Sequence, residues 1–268
     1  MLRDLNLKTM LFVLSPAKSL DYETPLATEA HTPPLFVKDS KALIEVLRGY
    51  SPAQISALMD LSDPLAGLNV ARYKAWSARA STKNARPALL AFDGDVYDGL
   101  GARQLDADAL AWAQDHICVL SGLYGVLRPL DLMQPYRLEM GTRLPTAQGA
   151  DLYQFWGNRI TDYLNTRLRG AAEPVLVNLA SQEYFKAVKP KALKARVIEC
   201  VFEDCKNGVY KIISFNAKRA RGAMARFAID QRLSDPAALQ QFRGDGYAYA
   251  PKASTPERLV FRRKLPGA

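Results

Sequence analysis

The chain opens its pattern with Met10-Leu-Phe-Val-Leu14, an uninterrupted apolar run closed by Ser15-Pro16, which predicts a buried strand. Residues 22–34 are rich in Thr and Pro and read as loop. Phe36, Ala42, Leu43, Ile44, Val46 and Leu47 mark a packed helix. Ser51-Pro52 places an N-cap and a first-turn proline at the start of a second helix that runs to Leu61. Asp63-Pro64 breaks it and suits the start of another turn, and Val70–Arg79 reads as a third. Ala88–Phe92 is a short apolar run and predicts a strand, followed by the acidic turn Asp93-Gly94-Asp95. A helix over Asp106–Asp115 precedes a strand at Ile117–Leu120. Residues 121–149 are dense in Gly and Pro and read as an ordered loop. Leu152, Phe155, Trp156, Ile160, Tyr163, Leu164 and Leu168 form the apolar stripe of one long helix over Asp151–Leu168.

Pro174–Leu179 predicts a strand. Arg196–Glu203 and Val209–Phe215 are strands joined at Lys206-Asn207-Gly208, whose Asn-Gly pair is a hairpin signal. A basic helix follows over Asn216–Leu233, then strands at Tyr247–Ala250 and Leu259–Arg263. No repeat or linker is visible. The pattern predicts one compact mixed domain of α+β class over residues 10–263, with residues 1–9 as an N-terminal extension.

At 268 residues, 49% hydrophobic and 24% charged, the composition is globular. The longest uninterrupted apolar runs have five residues, far from the roughly 18–20 of a membrane helix. Three cysteines, an odd number, argue against a disulfide framework and for the cytoplasm. Only His31 and His116 are present, so zinc sites and histidine catalysis are poorly supplied, and no metal or cofactor is expected. The net charge of +9 is unevenly placed: residues 1–185 hold 18 Lys+Arg and 20 Asp+Glu, whereas residues 186–268 hold 18 and 7. The last third therefore carries +11, against −2 elsewhere. That asymmetry suits a polyanion, with nucleic acid first, and equally a solvated basic surface.

Three sets of residues carry candidate chemistry. Leu65-Ala66-Gly67-Leu68-Asn69 between two helices is similar to the hairpin of a helix-hairpin-helix. There Gly67 would let backbone approach a phosphate and Asn69 would take a positive φ, with Arg72 and Lys74 beyond. An ordinary helical hairpin in the core reads the same way. In the basic helix, Arg219 and Arg226 share one face with Gly222 between them, while Lys218 and Arg221 share the next. With Lys206, Lys211 and Arg232 they would track phosphates, Gly222 admitting a ligand backbone. The third set stands beside strand ends: Ser15, Lys18, Asp93, Asp95, Ser121, Tyr124, Arg128, Arg137, Glu139, Asn178, Ser181, Glu183, Tyr184 and Lys186. Such positions commonly build clefts. Asp93 and Asp95 suit an acid/base or metal pair, and equally the capping of turns around Gly94. Ser121-Gly122-Leu-Tyr-Gly125 is neither a nucleophile elbow nor a phosphate-binding loop. Cys200 and Cys205 suit packed thiols better than a redox pair. Tyr247 and Tyr249 suit packing, or stacking on bases.

Several segments together resemble the YaaA peroxide-stress resistance family. They are Leu14–Tyr22, Gly94-Asp-Val-Tyr97, Leu120–Gly141, Leu152–Gly157, Asn178–Ser181 with Glu183–Lys186, and Ser214–Arg226. The resemblance covers Met10 to Arg263. It implies a cytoplasmic single-domain α+β protein of unusual fold that limits peroxide damage and is linked to lower free intracellular iron. It also implies binding of double-stranded or structured DNA through a positive cleft and a helix-hairpin-helix. Asp93 stands where such relatives often carry Lys, which leaves a carboxylate pair there. No catalytic residue is carried over. No base-reading motif is visible, so the expected DNA binding is largely independent of sequence. The alternative is an enzyme acting on nucleic acid or nucleotides at the strand-end polar set.

Overall fold

In the computed structural model, which describes residues 10–26 and 28–264, one sheet runs through the molecule. The N-terminal extension expected at residues 1–9 lies outside the described residues. The strands are β1 (Met10–Leu14), β2 (Ser19–Leu20), β3 (Arg86–Pro87), β4 (Phe92–Asp93), β5 (Ile117–Ser121), β6 (Gly125–Leu127), β7 (Leu132–Met133), β8 (Val175–Leu179), β9 (Arg196–Lys206), β10 (Val209–Lys211), β11 (Ala248–Tyr249) and β12 (Arg258–Lys264). The helices are α1 (Val37–Arg48), α2 (Pro52–Met59), α3 (Asp63–Ala75), α4 (Ala88–Ala91), α5 (Asp95–Leu100), α6 (Ala107–His116), α7 (Leu152–Trp156), α8 (Arg159–Arg167), α9 (Gln182–Phe185) and α10 (Ser214–Asp230).

Strands β5, β1, β8, β9 and β12 lie side by side in that order, all parallel. β6 and β11 close the two edges in antiparallel fashion. β10 returns along β9 through Asn207 and Gly208, both at positive φ, as the Asn-Gly signal predicts. Every residue of β1, β5 and β8 is buried. Neighbouring side chains point to opposite faces, so both faces of the central sheet are covered. The expected single mixed domain is what forms, with a mostly parallel sheet around one continuous core.

Numbered by chain order, the parallel strands run 2-1-3-4-5. The chain leaves β1 toward one side for β5 and returns to the other side for β8. In doubly wound sheets a crevice opens at that point of reversal, beyond the carboxyl ends of the strands.

Four local expectations are corrected. Ala88–Ala91 forms a helical turn rather than a strand, because the Ala88 and Leu89 N–H groups donate to the carbonyls of Asp131 and Pro129. The run is buried throughout, so periodicity carried no signal there. Asp151–Leu168 is two helices, broken at Gly157, which sits at φ +51°. The third helix begins at Asp63-Pro64, not at Val70, and runs to Ala75. The turn between α2 and α3 is therefore Asp60–Ser62, with the positive φ at Asp60. Gly67 and Asn69 fall inside α3, so the helix-hairpin-helix expected at Leu65–Asn69 does not form there. Asn69 is fully buried and its Nδ2 donates to the Leu65 carbonyl one turn back.

Candidate functional site

The crevice lies at that point of reversal, and its walls come from five places in the sequence, Glu139 after β7 supplying the fifth. Its volume is about 440 Å³. Ser15 and Lys18 enter from the loop after β1, and Ser181, Glu183 and Tyr184 from the turn after β8. The two strand ends are tied together: Ser15 Oγ accepts the Ser181 N–H at 2.9 Å and donates to Ser181 Oγ at 3.3 Å. Tyr97 donates its hydroxyl to the Ser15 carbonyl at 3.1 Å and fixes the same loop.

A small antiparallel pair, Ser19 with Asp93 and Leu20 with Phe92, carries the third wall. It delivers Asp93, Gly94 and Asp95 to the cleft. Gly94 sits at φ +137°, and a Cβ there would stand 3.7 Å from the Ala17 side chain. The turn therefore needs glycine for its backbone angle. Gly94 is the N-cap of α5 and has no side chain to cap it, and Asp95 stands in the first turn of that helix. Neither Asp93 nor Asp95 has an ion pair among the described residues.

The fourth wall is α10, which presents Lys218 and Arg221. It reaches the cleft by crossing α5 at very short range. A Cβ on Gly222 would fall 1.8 Å from the Val96 carbonyl oxygen, and one on Gly99 would fall 2.0 Å from that of Arg219. Gly222 therefore admits a neighbouring helix, not a ligand backbone. The sequence singled out Gly222 but not Gly99, whose signal exists only once the two helices are paired.

The four cations of the basic helix divide. Arg219 pairs with Asp245 at 3.2 Å, and Arg226 pairs with Asp230 at 2.8 Å and reaches the Gly101 carbonyl. Lys218 and Arg221 have no ion pair among the described residues. Arg221 is half-buried, and burial pulls its pKa down while Glu199 and the Cys200 thiol pull it back. An arginine so placed is still cationic at neutral pH.

Four carboxylates face these cations: Asp93, Asp95, Glu139 and Glu183. Two are held in place. Glu183 Oε1 accepts the Gly141 N–H at 2.9 Å. Glu139 bridges Lys18 at 3.0 Å and Arg137 Nη2 at 3.1 Å. Tyr184 is pushed well above the ordinary tyrosine range by burial, then by Tyr136, Glu183 and Glu139 nearby, and stays a neutral hydroxyl. Among the described residues, no group of three His, Cys, Asp or Glu side chains is arranged to hold a metal ion.

Ser15, Lys18, Asp93, Asp95, Glu139, Ser181, Glu183 and Tyr184 thus meet Lys218 and Arg221 in one cleft. The other polar candidates serve the scaffold. Ser121 is buried, 2.7 Å from the Tyr136 hydroxyl, and accepts the Tyr124 N–H. Tyr124 accepts from Trp76 Nε1. Arg128 clamps the fully buried Asp131 at 2.7 Å. Asn178 accepts the Ala180 N–H and shapes the end of β8. Lys186 lies over the Tyr153 ring, 4.7 Å from its centre. Arg137 stands behind the cleft wall, with a buried Nε that has no hydrogen-bond partner among the described residues.

Of the α3 set, Lys74 is exposed. Arg72 is half-buried beside Tyr22, Tyr73 and Arg137, and burial lowers its pKa. α3 lines none of the cleft and meets the segment that carries Glu139 through Tyr73, whose hydroxyl donates to the Arg137 carbonyl. Tyr247 is buried and donates to Asp204 at 3.0 Å, which makes it a packing residue. Cys200 and Cys205 sit five positions apart on β9, which places them roughly 16 Å apart on opposite faces, out of disulfide range.

Comparison with known proteins agrees along the whole described body. A family model described as peroxide stress protein YaaA matches residues 10–253. A UPF0246 protein of Albidiferax ferrireducens is 64% identical over 257 residues, covering 96% of this chain and 99% of that protein. UPF0246 proteins of Verminephrobacter eiseniae and Paracidovorax citrulli are each 66% identical, over 260 and 259 residues, and are matched over their full length. The chain belongs to the peroxide stress protein YaaA family.

Proposed function

We propose that this chain protects against peroxide damage by binding DNA, largely without sequence specificity, and that it acts in the cytoplasm. Its protective role is associated with lower free intracellular iron and hence with less radical chemistry on the DNA it binds. The observation that carries the reading is the pair Lys218 and Arg221, cations that have no ion pair among the described residues and line the crevice from a helix in the basic third of the chain. Phosphate oxygens are the natural partners of such groups. The strand-end position of the crevice is a second support. The test is binding of two unrelated duplexes of one length, titrated across salt. Comparable affinities and a steep fall of log K with log salt are expected. A strong preference for one sequence, or a shallow slope, overturns the reading.

One observation favours a second reading. Asp93, Asp95, Glu139 and Glu183 share the crevice with those cations, a mixed set more suited to chemistry than to phosphate tracking alone. An enzyme acting on nucleic acid or nucleotides would use it so. Labelled intact and damaged DNA incubated with Mg²⁺ or Mn²⁺ distinguishes the two. Product formation selects the enzyme; binding without product removes it.

A further inference from the structure

The most exposed large apolar side chains are clustered. Val209, Ile212 and Phe215 are 63%, 54% and 60% exposed, against at most 45% for any other large apolar residue described. They fall within seven residues, at the hairpin and the entry to α10. Lys211 lies among them and Lys206 and Lys218 flank the stretch, all three exposed.

Their place in the fold is set by register. β9 pairs with β8 through residues 196–199 and with β10 through residues 204–206. β10 therefore takes over the edge of β9 where β8 has ended. The hairpin and the start of α10 stand at the carboxyl end of the sheet, the end that holds the cleft. Phe215, Lys218 and Arg221 follow at successive intervals of three on α10, one ridge on its surface, and the last two line the cleft. The helix entry is fixed: Asn216 Nδ2 donates to the buried Asp204 at 3.1 Å, and Asp204 also holds Arg263. Phe215 is thus a phenyl ring held out to solvent on a rigid support, at the outer end of a ridge of cations.

The lysines decide the partner. In a symmetric dimer each patch would meet its own copy, lysine against lysine. A polyanion with apolar faces suits the patch better. Intact duplex offers phosphates but hides the faces of its bases in the stack. An unpaired nucleotide offers both, and an aromatic ring beside cations is the usual platform for it.

We propose that Phe215, flanked by Ile212, is a stacking platform for an unpaired base. The cleft then takes DNA at a gap, bulge or strand end in preference to intact duplex. This rests on the DNA-binding reading above and specifies its substrate.

The test uses the full chain and two duplexes of equal length, one fully paired and one with a short gap carrying 2-aminopurine. Wild type is expected to bind the gapped form about tenfold tighter, the scale of one stacked base, with a change in 2-aminopurine emission. In Phe215→Ala the ratio of the two affinities should fall to about one and the emission change should vanish, while Phe215→Trp should keep both. Equal affinities in wild type, or an undiminished ratio in Phe215→Ala, overturn the stacking platform but leave DNA binding standing. Binding of neither duplex at low salt removes both. A shift in sedimentation of Phe215→Ala without loss of the emission change assigns the patch to self-association and overturns the proposal.

Discussion

A Cβ on Gly222 would lie 1.8 Å from the carbonyl oxygen of Val96, so α10 and α5 meet backbone to backbone. This contact aims Lys218 and Arg221 at the same crevice as Asp93 and Asp95. Gly222→Ala in an isolated helix would add about 1 kcal/mol of stability. Here the methyl group meets a carbonyl that cannot rotate away, and overpacking costs about 3 kcal/mol. The variant should unfold at lower denaturant concentration than wild type, and DNA affinity should fall with it. An unchanged midpoint would refute the close crossing.

Gly67 predicts the opposite sign. It lies inside α3 without positive φ, and a Cβ there meets nothing within 4 Å. Gly67→Ala should therefore stabilise the protein by about 0.5–1 kcal/mol and leave DNA affinity unchanged. A loss of binding in the folded variant would restore a backbone–phosphate role for this position.

These two glycines show what the sequence could and could not reveal. Met10–Leu14, Ser51-Pro52, Ile117–Leu120, Pro174–Leu179 and Asn207-Gly208 carry their structure in local chemistry: an apolar run, a cap or a turn residue. Each appears where the pattern places it. Gly67 sits in a stretch whose local pattern fits both a helix and a hairpin, and the choice was made by Pro64 opening α3. Gly222 and Gly99 acquire meaning only as a pair from distant segments. The cleft itself was half legible. Residues just beyond strand ends were gathered correctly as a class, but which of them face the crevice depends on partners. Arg128 is withdrawn by Asp131 and Ser121 by Tyr136, neither of which spacing reveals.

The Arg128–Asp131 clamp predicts a pH signature. Asp131 is fully buried, and burial raises its pKa while Arg128 and Thr32 pull it back. Arg128→Met removes the main counterweight, so the folded-state pKa rises further above the unfolded value. A raised carboxyl pKa costs stability above the folded value and nothing below the unfolded one, near 3.9. The variant should be destabilised by about 3 kcal/mol at pH 7, with the deficit shrinking toward pH 4. Adding Asp131→Asn should recover part of it. Urea midpoints at several pH values measure this.

All three cysteines are buried, and burial pushes the Cys200 thiol up to about 12. Thiolate is the reactive form toward peroxide and disulfide reagents. The native protein at pH 7.5 should show no thiol reactive to a colorimetric disulfide reagent, and Cys200→Ser should leave protection in peroxide-treated cells intact. Rapid native labelling of Cys200 would refute its burial and reopen a redox role.

The division among the cations of α10 gives the sharpest contrast. Among the described residues Lys218 and Arg221 carry no ion pair, whereas Arg219 and Arg226 are committed to Asp245 and Asp230. A phosphate contact made by an uncommitted cation releases a counterion and adds about 0.9 to the slope of log K against log salt. The double variant Lys218→Ala/Arg221→Ala should therefore bind duplex more weakly at low salt and with a slope shallower by nearly two. Arg219→Ala/Arg226→Ala removes cations already neutralised within the fold. Its slope should change by well under one, and its main effect should be a lower unfolding midpoint, since Arg226 also holds the Gly101 carbonyl at the end of α5. Equal slope losses in the two double variants would mean that the whole helix face, not the cleft, tracks the phosphates.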